Sequence, residues 1–215
     1  MNWEAWSDFI SMAGTVAFSV TAVLAIQKDK EVDLISAVIF GVITAVGGGT
    51  TRDIILDVPV FWANDLSYIW VSVGAALAAF YGRKIFERKH LYQAMLYVDG
   101  LAVCMFAVQA VGKVWDLGFG LPIAPVILAS ITAIGGGLIR DILAGRTTLL
   151  MKTELYLTPV ILGSTAFVFV YHYLPEYHFI GSIICIVGSF ALRAAAIHWN
   201  LAMPQFMRIG GSARK

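Results

Sequence analysis

Hydrophobic residues crowd into seven stretches, roughly 7–26, 34–56, 66–82, 91–111, 123–143, 155–173 and 178–199, parted by short runs that carry charge, Pro or Gly. A helix needs about 20 mostly apolar residues to cross ~30 Å of hydrocarbon. The pattern therefore predicts an all-α integral membrane protein with seven transmembrane helices. Composition agrees. Of 215 residues, 59% are hydrophobic and only 13% charged, against about 25% charged in a soluble domain. A chain of this size cannot hide so much apolar side chain in one water-soluble core. The stretches leave no room for a soluble domain, so 1–215 reads as a single membrane domain. Only the tail beyond Trp199, with Pro204, Gly210, Gly211 and Ser212, reads as flexible. Glu4 and Asp8 stand where a cleavable signal would carry Lys or Arg, so the first apolar run is expected to stay in the mature protein.

Basic residues set the expected orientation. Lys28, Lys30, Arg83, Lys84, Arg88, Lys89, Arg146, Lys152, Arg208, Arg214 and Lys215, 11 of the 15 basic residues, fall on one side. The other side holds Lys113, while Arg52, Arg140 and Arg193 lie within spans. The expectation is an N-terminus outside and a short C-terminal tail in the cytoplasm. Trp3, Trp6, Trp62, Trp70 and Trp115 near outer ends and Trp199 near an inner end suit interfacial anchors.

The chain repeats itself. ITAVGGGTTRDIILD at 43–57 matches ITAIGGGLIRDILAG at 131–145 at 9 of 15 positions, with a constant offset of 88. The same offset pairs Phe18 with Phe106, Val20 with Val108, Ala22 with Ala110 and Tyr68 with Tyr156. Repeat one spans about 7–82 and repeat two about 91–173, with an extra helix at about 178–199. Three spans per unit put the second copy upside down, an inverted repeat of the kind found in proteins that pass solutes across bilayers.

Gly47, Gly48 and Gly49, and Gly135, Gly136 and Gly137, fall midway through spans two and five. Three successive glycines weaken a helix by up to ~1 kcal/mol each. They can kink or unwind it and present carbonyls to a wet path. The alternative is close packing. Ala37, Gly41, Ala45 and Gly49 form a small-residue ridge, repeated by Ala129, Ala133 and Gly137, along which another helix can approach, and a subunit interface is expected there. Neither triplet is a phosphate loop, since no strand precedes it and no Gly-Lys-Ser/Thr follows.

Arg52 with Asp53, Arg140 with Asp141, and Asp99 lie inside spans, where ionisable groups face a bundle interior or an aqueous path. They either pin helices together or set the polarity of a pore. Neighbours at i and i+1 do not face each other on a helix, so each arginine is expected to find a partner elsewhere. The two arginines should sit on the order of 15 Å apart in depth. That favours Arg140 with Asp99, and Arg52 with Ser11 (which Asp99 becomes on subtracting 88) or with Asp8. Arg193 is expected to snorkel to the interface. Thr15, Ser19, Thr44, Ser130 and Thr132 are candidate pore hydroxyls, or back-bond to their own helices.

Catalytic chemistry finds no footing: there is no nucleophile–base pair, no paired catalytic carboxylates and no metal motif. Cys104 and Cys185 each sit in an apolar run, against a disulfide framework or cysteine metal site. A net charge of +1 excludes a nucleic-acid-binding field.

GGGTTRD at 47–53, GGGLIRD at 135–141, the Tyr-Val-Asp-Gly-Leu-Ala stretch at 97–102, Asp-Val-Pro-Val-Phe-Trp at 57–62 and Glu-Leu-Tyr at 154–156 resemble the prokaryotic trimeric intracellular cation channel family over essentially the whole chain. The resemblance implies a homotrimer in the plasma (inner) membrane of a prokaryote, each subunit with its own monovalent-cation pore. The glycine triplets would kink spans two and five around that pore, and Gly47–Gly49, Gly135–Gly137, Arg52 and Arg140 carry over by motif. It implies K⁺ and Na⁺ as transient permeant ions and no resident metal or cofactor. Nothing resembles a Thr-Val-Gly-Tyr-Gly filter, so weak selectivity is expected. Two departures stand out: Gly145, Arg146 and Thr147 replace Asp57, Val58 and Pro59 of the first copy, and no Lys lies in 91–111, where animal members carry a lipid-binding motif. Related bacterial proteins have been labelled glycine transporters, so a secondary transporter for a small amino acid such as glycine is the alternative.

Overall fold

A computed structural model describes residues 3–26, 32–82, 88–152 and 155–204, the side chains of 88, 89 and 91 excepted. Lys28, Lys30, Arg83, Lys84, Glu154 and the tail with Gly210, Gly211, Ser212, Arg208, Arg214 and Lys215 lie outside the described residues, as do the side chains of Arg88 and Lys89. The described chain is all helical: α1 (Trp3–Ile26), α2 (Leu34–Ile55), α3 (Phe61–Asn64), α4 (Ser67–Gly82), α5 (Arg88–Asp116), α6 (Ile123–Leu143), α7 (Leu157–Tyr173) and α8 (His178–His198), with 3-10 turns at Leu149–Met151 and Pro175–Tyr177. Five stretches are long and apolar enough to cross a membrane; α4 and α7 are apolar but only 16 and 17 residues long. The single turn of α3 escapes the periodicity argument because four residues cannot show a period.

Helices α1, α2, α5 and α6 pack together at the centre. On one side α4 closes against α1 and α2; on the other α7 closes against α5 and α6, and α8 lies on α5 and α7. The two three-helix units thus pack alike, with α8 as the addition. Phe18 and Phe106, related by the offset, stack on each other with centroids 5.4 Å apart. Asp33 caps α2: its carboxylate accepts the Ser36 backbone N–H and hydroxyl, and those bonds hold its pKa below the ordinary value.

The small-residue ridge of α2 is consumed inside the subunit. Ala37 and Ala45 are buried, Gly41 lies against Ser19 and Ala76, and Gly49 against the ring of Phe61. It is therefore not an outward interface. The chain's own α1, α4 and α6 take up the close approach that the ridge offers. What α2 and α6 present outward instead is isoleucine: Ile35, Ile39 and Ile43 on one, Ile123 and Ile127 on the other.

The loops that differ in sequence share one backbone. After α2, Asp57 N–H bonds to Ile54 O and Val58 N–H to Asp53 O; after α6, Gly145 N–H bonds to Ile142 O and Arg146 N–H to Asp141 O. Both are Schellman caps, with Asp57 at φ 54° and Gly145 at φ 65°. Glycine adopts that left-handed conformation without strain, whereas an L side chain costs about 1 kcal/mol. Asp57→Gly is accordingly expected to stabilise the protein by up to ~1 kcal/mol in detergent denaturation, and a loss of stability would show that the Asp57 side chain is needed.

Candidate functional site

The glycine triplets lie where α2 crosses α6, and both helices pass through them without a break. The unwound turn expected from three glycines is not there. Helix is kept because the glycines allow backbone contact. A Cβ on Gly48 would overlap the carbonyl oxygen of Thr132 and lie 3.1 Å from its carbon and 3.2 Å from Gly136 N. A Cβ on Gly136 would overlap the carbonyl oxygen of Thr44. Thr44 and Thr132 are themselves 88 apart, so the crossing is reciprocal. Cα–H groups facing carbonyls at such a crossing add weak attraction.

A buried charge cluster lies beyond each triplet. In the first, Arg52 Nε donates to Asp53 Oδ1 at 2.8 Å and Nη1 to Gln109 Oε1 at 2.7 Å. Lys113 Nζ also donates to Asp53 Oδ1, at 2.7 Å, and Phe61 N–H to Asp53 Oδ2, at 2.9 Å. In the second, Arg140 Nε donates to Asp141 Oδ1 at 2.9 Å. Its Nη1 donates to Asp99 Oδ1 at 2.6 Å and to Thr21 Oγ1 at 3.2 Å. Tyr156 OH donates to Asp99 Oδ2 at 3.0 Å, and Leu149 N–H to Asp141 Oδ2 at 3.0 Å. Phe61 and Leu149 are 88 apart, and so are Thr21 and Gln109. Each arginine therefore uses Nε on the neighbouring aspartate and Nη1 on a side chain of the other repeat.

Several expectations need correction here. Adjacent Arg and Asp do bond, because the guanidinium on its long stem folds back along the helix to reach a carboxylate that its Cβ does not face. Arg140 pairs with Asp99 as depth argued. Arg52 pairs with neither Ser11 nor Asp8; those two line the cavity beside it. Arg193 does not snorkel: it is buried, donates to Leu155 O at 3.1 Å and sits 4.9 Å above the ring of Tyr156. That carbonyl and ring supply the polar surroundings the interface would have given. Gln109, Lys113, Thr21 and Tyr156 went unnoticed as members of the clusters. Applying the offset to every polar residue in a span would have found Thr21 with Gln109.

Of the candidate hydroxyls, Thr15, Ser130 and Thr132 donate to carbonyls one turn back on their own helices. Ser19 bridges to Ser72 O on α4 at 2.6 Å. Thr44 is buried with no hydrogen-bond partner among the described residues. Cys104 and Cys185 are free and buried.

The clusters differ in accessibility. Beside Arg52 lies a cavity of about 240 Å³, lined among others by Asp8, Tyr68, Gln109 and Lys113. Near Arg140, the crevice lined by Gly137, Asp141 and Tyr156 has no room for a water. Asp99 is fully buried where repeat one has Ser11, which lines the larger cavity.

A family model described as "Glycine transporter" matches the chain twice, over residues 8–84 and 96–172, again 88 apart. The UPF0126 inner membrane protein YadS of Escherichia coli K12 is 32% identical over 203 residues, covering 94% of this chain and 95% of YadS. The UPF0126 membrane protein YvgT of Bacillus subtilis is 33% identical over 166 residues, 76% of this chain and 78% of YvgT. Among solved structures, a prokaryotic TRIC channel crystallised in 0.5 M KCl superposes with a TM-score of 0.84 at 28% identity, covering 92% of this chain and 98% of that one. The TRIC trimeric intracellular cation channel orthologue from Rhodobacter sphaeroides superposes with a TM-score of 0.82 at 30% identity over 91% and 98%. With its fold, its doubled motif and its full-length relatives in agreement, the chain belongs to the prokaryotic TRIC family, the UPF0126 multi-pass proteins of bacterial membranes.

Proposed function

We propose that the protein is a homotrimeric channel for monovalent cations, K⁺ and Na⁺, with one pore in each subunit along the α2–α6 crossing. The observation that carries this reading is the pair of buried charge clusters, one beyond each glycine triplet, separated by a crossing where Gly48 and Gly136 lie against the backbone of the facing helix. A contact of glycine against carbonyl parts with little side-chain repacking, and the carbonyls it releases suit a dehydrating cation. In the conformation described, the crossing and the Arg140–Asp99 pair are both closed, so conduction requires α2 and α6 to separate there. Gly47–Gly49 and Gly135–Gly137 then act as the gate, and Arg52, Asp53, Asp99, Arg140 and Asp141 as the charges at its two ends. Seven spans, with α4 and α7 completing the count, put the N-terminus and the Arg52 cluster outside and the Arg140 cluster toward the cytoplasm. The protein has no catalytic role and no cofactor in this reading. Its partners are lipid and two further copies of itself.

A second reading, a secondary transporter for a small amino acid, is favoured by the two cations beside the cavity and by the description of the matching family model. Purified protein in liposomes separates the two. The channel reading expects K⁺ to run down its gradient with no co-substrate, and Na⁺ to pass as well. Absence of K⁺ flux together with saturable, gradient-coupled glycine uptake would replace it with the transporter.

A further inference from the structure

Helix α8 has no counterpart in repeat one, and it reaches toward the Arg140 cluster. There Asp99 is held by Arg140 Nη1 at one oxygen and by Tyr156 OH at the other. Tyr156 stands ahead of the first turn of α7, which begins at Leu157. What fixes its ring comes from α8. The Arg193 guanidinium lies 4.9 Å above the Tyr156 ring, within the range of a cation–π contact, and its Nη1 donates to Leu155 O at 3.1 Å. The N–H of Leu155 donates to Leu201 O at 3.1 Å, in the segment that follows α8. Both backbone polar groups of Leu155 are thus taken up by α8 or by the segment after it.

A glycine makes room for this arginine. A Cβ on Gly100, the residue after Asp99, would come within 2.8 Å of Arg193 Cγ, so the arginine stem crosses α5 directly beside Asp99. Subtracting 88 from Gly100 gives Met12, a large side chain where no such stem has to pass. Tyr68, the match of Tyr156, meets the ring of Phe61 edge-on, with centroids 4.9 Å apart. The crevice at the cluster that α8 supports has no room for a water, whereas Tyr68 lines the cavity of about 240 Å³ beside Arg52.

We infer that Arg193 is a positioning residue for the gate: it holds the Tyr156 ring so that the hydroxyl keeps Asp99 on Arg140, and displacement of α8 releases that end of the crossing. This role rests on the gate proposed above and gives the additional helix its part in it. Arg193 acts through Tyr156. Arginine suits the task because one planar group stacks on a ring while its N–H groups donate to a carbonyl. Lysine puts a charge over the ring but has no plane to stack. With the Tyr156 ring released, Asp99 keeps one of its two anchors, and parting it from Arg140 costs that much less.

Thiol labelling of the purified full-length protein in liposomes tests this without relying on ion flux. Thr21→Cys, in a background with Cys104→Ala and Cys185→Ala, places a single thiol where Arg140 Nη1 donates to a hydroxyl. A water-soluble methanethiosulfonate then reads how often that cluster opens. Adding Arg193→Gln is expected to speed labelling about tenfold, the scale on which loss of a desolvated cation–π contact shifts an equilibrium. Arg193→Lys, which keeps a charge over the ring, should fall between the two. Gly100→Ala crowds the stem and leaves the charge; it should speed labelling about threefold, and it decides the matter should Arg193→Gln fold poorly. Tyr156→Phe should speed labelling as well, and combining it with Arg193→Gln should add nothing, as when one residue acts through the other. Labelling that neither Arg193→Gln nor Gly100→Ala speeds, or effects of Arg193→Gln and Tyr156→Phe that multiply, overturns the inference. K⁺ flux measured on the same liposomes stands apart. Flux in the parent with labelling unmoved keeps the channel and removes the role of Arg193; labelling that responds while no variant passes K⁺ does the reverse.

Discussion

Asp99→Asn is expected to destabilise the protein by about 3 kcal/mol, the largest effect of any single carboxylate-to-amide change in the chain. Asp99 and the side chain of Arg140 are fully buried, 2.6 Å apart. Removing one partner of such a pair costs about 3–5 kcal/mol because the other is left charged without compensation. Asparagine keeps one carbonyl acceptor, and Asp141 still accepts from Arg140 Nε, so the loss falls at the lower end. Asp53→Asn is expected to cost less, although Asp53 accepts three hydrogen bonds. Lys113 is 26% exposed and the cavity admits water to the cluster. A double-mutant cycle in detergent denaturation separates the partners. Asp99→Asn and Arg140→Gln should couple by more than about 1 kcal/mol, whereas Asp53→Asn and Arg140→Gln should add to within about 0.5 kcal/mol. Coupling of Arg140 to Asp53 in place of Asp99 would show that the two clusters communicate across the crossing.

Hydrophobic stretches alone placed the long helices, because lipid demands an uninterrupted apolar run and the charged loops between them are short. The offset of 88 then carried most of the rest. It brought Phe18 onto Phe106, predicted matched packing at the two triplets and, with depth, found Asp99 for Arg140. Where it failed, the two repeats have diverged chemically while keeping their backbone. Ser11 inherits the place of Asp99 but cannot reach Arg52. Gln109 and Lys113 on α5 take over, and an apolar stretch gives no sign that an amide and an amine four residues apart face one neighbouring helix. The cap after α2 shows the converse: Asp57 and Gly145 look unlike and hold the same left-handed turn. The ridge on α2 misled for another reason. Small residues signal close approach without saying by which helix, and here the partner belongs to the same chain.

That distinction yields the second large effect, a ranking within each triplet. Gly48→Ala and Gly136→Ala are expected to destabilise the protein by about 1–3 kcal/mol, the cost of overpacking a filled site, even though alanine favours helix by up to ~1 kcal/mol. At Gly48 the new Cβ meets Thr132 O, Thr132 C and Gly136 N, all backbone, and at Gly136 its closest contact is Thr44 O. Backbone cannot rotate out of the way, so α2 and α6 must move apart along the whole crossing. Gly47 differs by a single step in sequence: a Cβ there meets only the Ile139 Cδ1 terminus, at 2.7 Å, and a change of rotamer clears it. Gly47→Ala should therefore lie within about 1 kcal/mol of the parent, with the gain in helix propensity offsetting the adjustment. Gly74→Ala, with nothing within 4 Å of its Cβ, serves as the control for propensity alone. Flux adds a second readout. Helices held apart at the crossing should leak cations, so Gly48→Ala is expected to raise K⁺ permeability in liposomes while lowering stability. If all three glycines of a triplet tolerate alanine equally, the crossing is looser than described and the glycines serve some other purpose.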